Sequence, residues 1–116
     1  LIVEDEPINR ELMQDMLTTM NYDIKVAANG EEALILCQRQ QFDIIFLDIN
    51  LPDFSGIEVA RRLRQQGCAA TMIAVTANAF ETDKEATRAA HIRYHLVKPV
   101  SYQELQNTIR QALLPD

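Results

Sequence analysis

Residues 44–48, Ile-Ile-Phe-Leu-Asp, followed at 49–56 by Ile-Asn-Leu-Pro-Asp-Phe-Ser-Gly, decide how the chain is read. Four large apolar residues in succession, bounded by a turn-rich segment, mark a strand buried on both faces, as in the middle of a parallel sheet. The run closes on a carboxylate, which is costly to desolvate unless charged neighbours compensate it. The sequence must therefore supply both further strands and compensating groups for Asp48.

Working outward, short apolar runs recur at 1–3 (LIV), 24–28 (IKVAA), 72–75 (MIAV) and 95–97 (HLV). A helical pattern fills each gap. Residues 7–20 set Ile8, Leu12, Met16 and Met20 on one stripe, 30–40 carry Ala33, Leu34 and Cys37, and 56–66 carry Ile57, Ala60, Leu63 and Arg64 before Gly67. Residues 82–90 are polar and Ala-rich, and 101–114 repeat Leu105, Ile109 and Leu113 behind a Ser101/Glu104 capping box. Alternating β and α segments imply parallel strands joined by right-handed crossovers, with helices on both faces. Lys25 inside the second run suits an edge strand. The reading is one α/β domain of five βα units.

The bulk numbers agree. A chain of 116 residues suits a single domain with one modest core. The net charge of −6 and the lack of any Lys/Arg run argue against nucleic acid or an anionic membrane as a partner of this domain. No apolar stretch nears the roughly 20 residues that span a bilayer. Cys37 and Cys68 have neither zinc-type spacing nor the density of a disulfide scaffold, so a reduced, cytoplasmic setting is expected. The first residue is Leu1, already inside an apolar run, and a fragment of a longer chain is expected.

In an open parallel sheet, ligands bind beyond the carboxyl ends of the strands. Just past the apolar runs stand Glu4 and Asp5, then Asp48, then Thr76 with Ala77 and Asn78, then Lys98 and Pro99. Taken singly, each has a plain reading: Asp48 as a turn former, Glu4 and Asp5 as caps of a helix starting near Pro7, Thr76 as a satisfied hydroxyl, Lys98 as a solvated charge. Taken together, three carboxylates converge and repel, and two cations are needed to offset them. Lys98 is one. The other is a hard, oxygen-bound divalent ion, Mg²⁺ or Mn²⁺, because no Cys or His stands at these strand ends to favour Zn²⁺. An Asp beside such an ion, a Lys and a hydroxyl suits a phosphoryl group, with the carboxylate as nucleophile. There is no phosphate-cradling P-loop, so the phosphoryl group is expected to arrive from a partner or a small donor.

The segments LIVEDEP, FLDINLPDFSG, VTANAF and HLVKP, in this order, resemble the receiver domains of two-component response regulators over essentially the whole chain, residues 1–116. The resemblance implies a flavodoxin-like, doubly wound (βα)5 fold with strand order 2-1-3-4-5. It implies that Asp48 is the phosphoacceptor, that Asp5 binds Mg²⁺ directly with Asp48 and the Asn50 carbonyl, and that Glu4 acts through water. Thr76 and the Ala77 backbone N–H would hold the phosphoryl group, Lys98 would pair with another of its oxygens, and Lys98-Pro99 would be cis. Thr76 would also act as a switch together with the residue three before Lys98. Here that residue is His95, where Tyr or Phe is commoner, and it raises the prospect of protonation tuning the switch. His91 stands where the family usually has glycine. Asn50 and Asn78 would flank the path of the hydrolytic water.

The same segments look most like receivers of hybrid sensor histidine kinases. That implies a cytoplasmic part of a sensor kinase, with a histidine kinase domain and a histidine-phosphotransfer domain as partners. The latter would dock along the first helix (Ile8, Asn9, Leu12 or Met13) and the Pro99 loop. Such a domain catalyses its own phosphorylation and dephosphorylation without being a turnover enzyme. The alternatives are a stand-alone or DNA-binding response regulator, an aspartyl-nucleophile phosphohydrolase, and a pseudo-receiver that only binds. Asn50 where dehalogenase-type hydrolases carry a second Asp argues against the hydrolase, and retention of Asp48, Asp5 and Lys98 argues against the pseudo-receiver.

Overall fold

The computed structural model describes residues 1–77 and 84–114. Strands and helices alternate: β1 Ile2–Val3, α1 Pro7–Thr19, β2 Val26–Ala27, α2 Gly30–Arg39, β3 Ile44–Asp48, α3 Gly56–Gln65, β4 Thr71–Thr76, α4 Lys84–Ala89, β5 Ile92–Val97 and α5 Tyr102–Leu113. All four strand pairings are parallel and the order is β2-β1-β3-β4-β5, the doubly wound arrangement expected from the sequence.

The continuous apolar runs follow from burial of both faces. Along β3, Ile45 and Leu47 join one core with Val3, Ala33, Val59, Ala60, Leu63, Met72 and Ala74, while Phe46 joins the other with Ile2, Met13, Leu17, Ile73, Leu105 and Ile109. Side chains alternate along a strand, so the first core lies under α2 and α3 and the second under α1 and α5. Ile45, Leu47, Met72 and Ile73 are fully buried, and each such side chain contributes roughly 1.5–3 kcal/mol.

Helix starts are set by local chemistry. Asn29, Ser55 and Ser101 each accept a backbone N–H from the third residue on, at 2.9 to 3.1 Å. Ser101 thus caps α5 as the sequence suggested. The first helix departs from expectation, because Glu6, rather than Glu4 or Asp5, caps it by accepting the Asn9 N–H at 2.8 Å. That frees both upstream acids for the sheet edge.

The helix stripes and the start of the last strand need correction. On α1 the buried residues are Met13 and Leu17, whereas Ile8 and Leu12 are 73% and 48% exposed. Four residues turn an α-helix by 400°, so an i, i+4 row drifts about 40° per step and its early members rotate off the sheet. Leu113 likewise ends exposed on the last turn of α5. The fifth strand begins at Ile92 rather than 95, because on this edge strand buried and exposed residues alternate and no apolar run announces its start. The predicted helix at 82–90 appears as α4 from Lys84, with 82 and 83 outside the described residues.

Candidate functional site

The parallel register brings the strand ends to one edge. Val3 pairs with Leu47, Asp48 with Val75 and Thr76 with Val97, so Glu4, Asp48, Thr76 and Lys98 come up side by side. Three of the four buried polar side chains among the described residues stand here: Glu4, Asp48 and Thr76. A soluble domain rarely buries acids without partners, which marks this edge as the place to look for chemistry.

The partners are specific. Lys98 Nζ lies 2.7 Å from Glu4 Oε1 and 3.1 Å from Asp48 Oδ2. The other Asp48 oxygen accepts the Asn50 N–H at 3.0 Å. Both oxygens are thus fixed, and the carboxylate has one orientation. Lys98 is itself positioned by its backbone N–H, which donates to Thr76 O at 2.7 Å, and the Lys98-Pro99 bond is cis.

The β3–α3 connection closes tightly behind Asp48. Asn50 and Ser55 form an isolated antiparallel bridge, and the Gly56 N–H donates to Ile49 O at 2.8 Å. A Cβ on Gly56 would stand 2.2 Å from the Asp48 carbonyl oxygen, so only glycine fits. Asp53 anchors the far side of this loop. Its carboxylate accepts from Gly30 N and Glu31 N at the start of α2, at 2.9 and 3.0 Å, and from Phe54 N at 2.9 Å. Although its slight burial pushes the other way, these backbone donors hold the Asp53 carboxyl below its ordinary range.

Electrostatics at the edge are unbalanced without a further cation. Burial, then the neighbouring Asp48, push Glu4 up to about 7 against the opposing pull of Lys98. Burial lowers Lys98, but contact with Glu4 and the charge of Asp48 outweigh it and the ammonium is held above its ordinary value. Glu4 Oε1 has the Lys98 ammonium beside it, whereas the other oxygen, Oε2, is buried without a hydrogen-bond donor. Oxygens of Glu4, Asp5 and Asp48 lie within 4.8 Å of one another, and Asp5 is exposed on the open side. An all-oxygen, multiply anionic cluster with unsatisfied acceptors fits a hard divalent cation such as Mg²⁺.

The remaining expected residues fall around this centre. Ala77 is exposed just past β4 and Asn50 is exposed on the loop after β3. His95 is not in the cluster: it stands on β5, with ring Nε2 3.1 Å from Thr87 Oγ1 of α4. Asn78 lies outside the described residues. His91 adopts φ 61°, the left-handed conformation that explains why glycine is usual there. Sequence reading missed Arg10, whose Nη1 donates to the Glu4 carbonyl at 3.0 Å, and the anchoring role of Asp53. The Asp53 bonds to Gly30 and Glu31 span more than twenty residues and leave no pattern in sequence, although Asp53 sits within the turn motif that drew attention.

Fold and edge together define a doubly wound α/β domain with an acidic, lysine-bridged cleft at its carboxyl edge. The chain belongs to the response regulator receiver domain family, whose sequence model it matches over residues 1–110. It is 35% identical over 109 residues to the sensor histidine kinase RcsC of Salmonella typhi, an alignment covering 94% of this chain and 12% of that protein. It is also 35% identical over 115 residues to the polar-differentiation response regulator DivK of Brucella anthropi, covering 97% of this chain and 94% of DivK. Among solved structures, the receiver domain of the sensor histidine kinase PA1611 from Pseudomonas aeruginosa, with magnesium coordinated in its active-site cleft, superposes with a TM-score of 0.87. The identity is 33%, covering 95% of this chain and 92% of that one.

Proposed function

We propose that this chain accepts a phosphoryl group on Asp48 from a phosphohistidine, in a phosphorelay. The observation that carries the reading is the Asp48 carboxylate, held at mid-sheet by the Asn50 N–H and Lys98 Nζ beside Glu4 and Asp5. An oxygen of Asp48 attacks phosphorus in line, the bond from phosphorus to the donor nitrogen breaks, and the leaving imidazole is protonated. Lys98 turns from its carboxylate partners to a phosphoryl oxygen, and the Thr76 hydroxyl and Ala77 N–H receive the others. Asp5, Asp48 and the Asn50 carbonyl are the residues for Mg²⁺ or Mn²⁺, with Glu4 acting through water. When bound, the ion neutralises charge on the phosphoryl oxygens.

Movement of Thr76 is the switch, and His95 is its partner on β5. The His95–Thr87 contact supports this role, since it joins β5 to α4 and would have to be remade if either element shifts. The partner supplying or receiving the phosphoryl group is a histidine kinase or histidine-phosphotransfer domain, docking on Ile8, Asn9 and Leu12 of α1 and the Pro99 loop. Exposure of the apolar Ile8 and Leu12 supports that surface, while Met13 is buried and is dropped from it.

The likeness to RcsC supports a place within a hybrid sensor kinase, on its cytoplasmic side, and the net charge of −6 disfavours nucleic acid or an anionic membrane as a partner of this domain. No helix among the described residues is long and apolar enough to cross a membrane. A second reading, a stand-alone response regulator, is favoured by the near-complete coverage of DivK.

The test is incubation with a small acyl-phosphate donor and Mg²⁺, followed by intact mass. A single phosphoryl adduct on the wild type, absent from Asp48→Asn, is expected. No adduct on the wild type points to a binding-only domain, and continuous turnover of phosphate esters points to a hydrolase.

A further inference from the structure

A second cluster of reactive groups stands at the opposite, amino-terminal edge of the sheet. Cys37 lies in the last turn of α2 and Cys68 in the connection from α3 to β4. Both are free thiols, both are half-buried, and both pack on the core beneath α2 and α3. Both also line one open cleft of about 500 Å³, together with Gln38, Phe42 and Gly67. The pair shares one environment, and burial, then the neighbouring Cys68, push the Cys37 thiol up to about 11. Their backbones are fixed. The Cys68 N–H donates to Leu63 O at 3.0 Å, its carbonyl accepts Arg64 Nη1 at 2.9 Å, and Cys37 belongs to a regular helix.

We propose that Cys37 and Cys68 are a redox-modification site, closing to a reversible intramolecular disulfide on reaction with a small hydroperoxide. Paired thiols could instead hold a soft metal ion. However, the one group of three or more such ligands among the described residues is the acidic cluster at the other edge, so the sulfurs lack companions for a metal. The cleft gives a small oxidant access to both residues. The Cys68 sulfur attacks one peroxide oxygen, the O–O bond breaks, and the thiol proton leaves with the other oxygen as water. The Cys37 sulfur then attacks the Cys68 sulfenic acid, the S–O bond breaks, and hydroxide departs with the Cys37 proton as a second water. Two thiols lose two electrons and one hydroperoxide gains them.

The bond would tie α2 to the α3–β4 connection. Arg64 extends that tie, because besides the Cys68 carbonyl it donates to Ala70 O at 2.8 Å and, through Nη2, to His91 O at 3.0 Å. Oxidation at one edge is thereby joined to the turn that starts β5.

The test treats the folded chain with hydrogen peroxide, caps remaining thiols with an alkylating agent, and reads intact mass and tryptic peptides. The expected product is monomeric, lighter by about 2 Da, uncapped, with the peptides carrying Cys37 and Cys68 linked, and it returns to the dithiol with dithiothreitol. Cys37→Ser abolishes the loss of mass. Three results would each overturn the proposal: oxygen adducts on unlinked cysteines, a disulfide-linked dimer in place of the monomer, or two capped thiols under conditions that oxidise glutathione in the same tube.

Discussion

Lys98 Nζ stands 2.7 Å from Glu4 Oε1, and the acid is the more deeply enclosed partner, with 3% of its side chain exposed against 21% for the lysine. One ammonium shared between two buried acids leaves a net negative charge at the edge. The metal-free domain is therefore tuned by pH and by any cation that enters.

The sign follows from Glu4. Its folded pKa of about 7 lies above the ordinary 4.5, so the native state holds a proton that the unfolded chain has released between those values. Stability from this group is full below about 4.5, falls as pH rises through about 7, and is constant above. The loss is on the order of 3 kcal/mol. Urea unfolding in metal-free buffer at about pH 5 and about pH 8 reads the difference. Glu4→Gln is expected to flatten it, and an unchanged slope in that variant would refute the assignment.

Mg²⁺ addition should reverse the effect. A cation competes with the Glu4 proton, so affinity rises with pH up to about 7 and levels off, with proton release on binding below that point. Calorimetry in two buffers of different ionisation enthalpy measures the released proton.

Gly56→Ala is expected to destabilise by about 2–4 kcal/mol and to impair phosphorylation, since its methyl group would have to displace the Asp48 carbonyl. Chemical denaturation paired with the acyl-phosphate assay checks both. A variant of wild-type stability would show that the loop has more room than its geometry allows.

Asp53→Ala removes the acceptor of three backbone N–H groups and should cost about 1–2 kcal/mol. The Asp53 carboxyl is depressed below 3.8, so its contribution is present above that value and lost as pH falls through the folded pKa. The gap between wild type and variant should accordingly close in acid. A gap that persists there would assign the loss to packing.

His91→Gly should raise stability by about 1 kcal/mol, because the left-handed backbone at φ 61° strains any residue with a Cβ. The gain is partly offset by glycine's greater freedom when unfolded. The Arg64 bond goes to the His91 carbonyl, which the substitution keeps. Thermal unfolding decides it, and a lower midpoint would be contrary.

The sequence disclosed most where physics is repetitive. β3 and β4 are buried on both faces and so read as unbroken apolar runs, and the strand-end rule then located Glu4, Asp48, Thr76 and Lys98 with no further information. It disclosed least where a residue's role depends on a distant segment. The start of β5 was hidden by its alternating edge pattern, and the buried face of α1 by the drift of an i, i+4 row. Asp53 acts on backbone groups at the start of α2, more than twenty residues away, which no local pattern encodes.

The closed connection behind Asp48 has a mechanical meaning. The Ile49 carbonyl is bonded to the first N–H of α3, and Gly56 packs directly against the strand end. The carboxylate and the first turn of α3 therefore behave as a single rigid body. Any displacement of Asp48 must carry that turn with it, and a residue inserted or deleted between positions 49 and 56 would throw the two out of step.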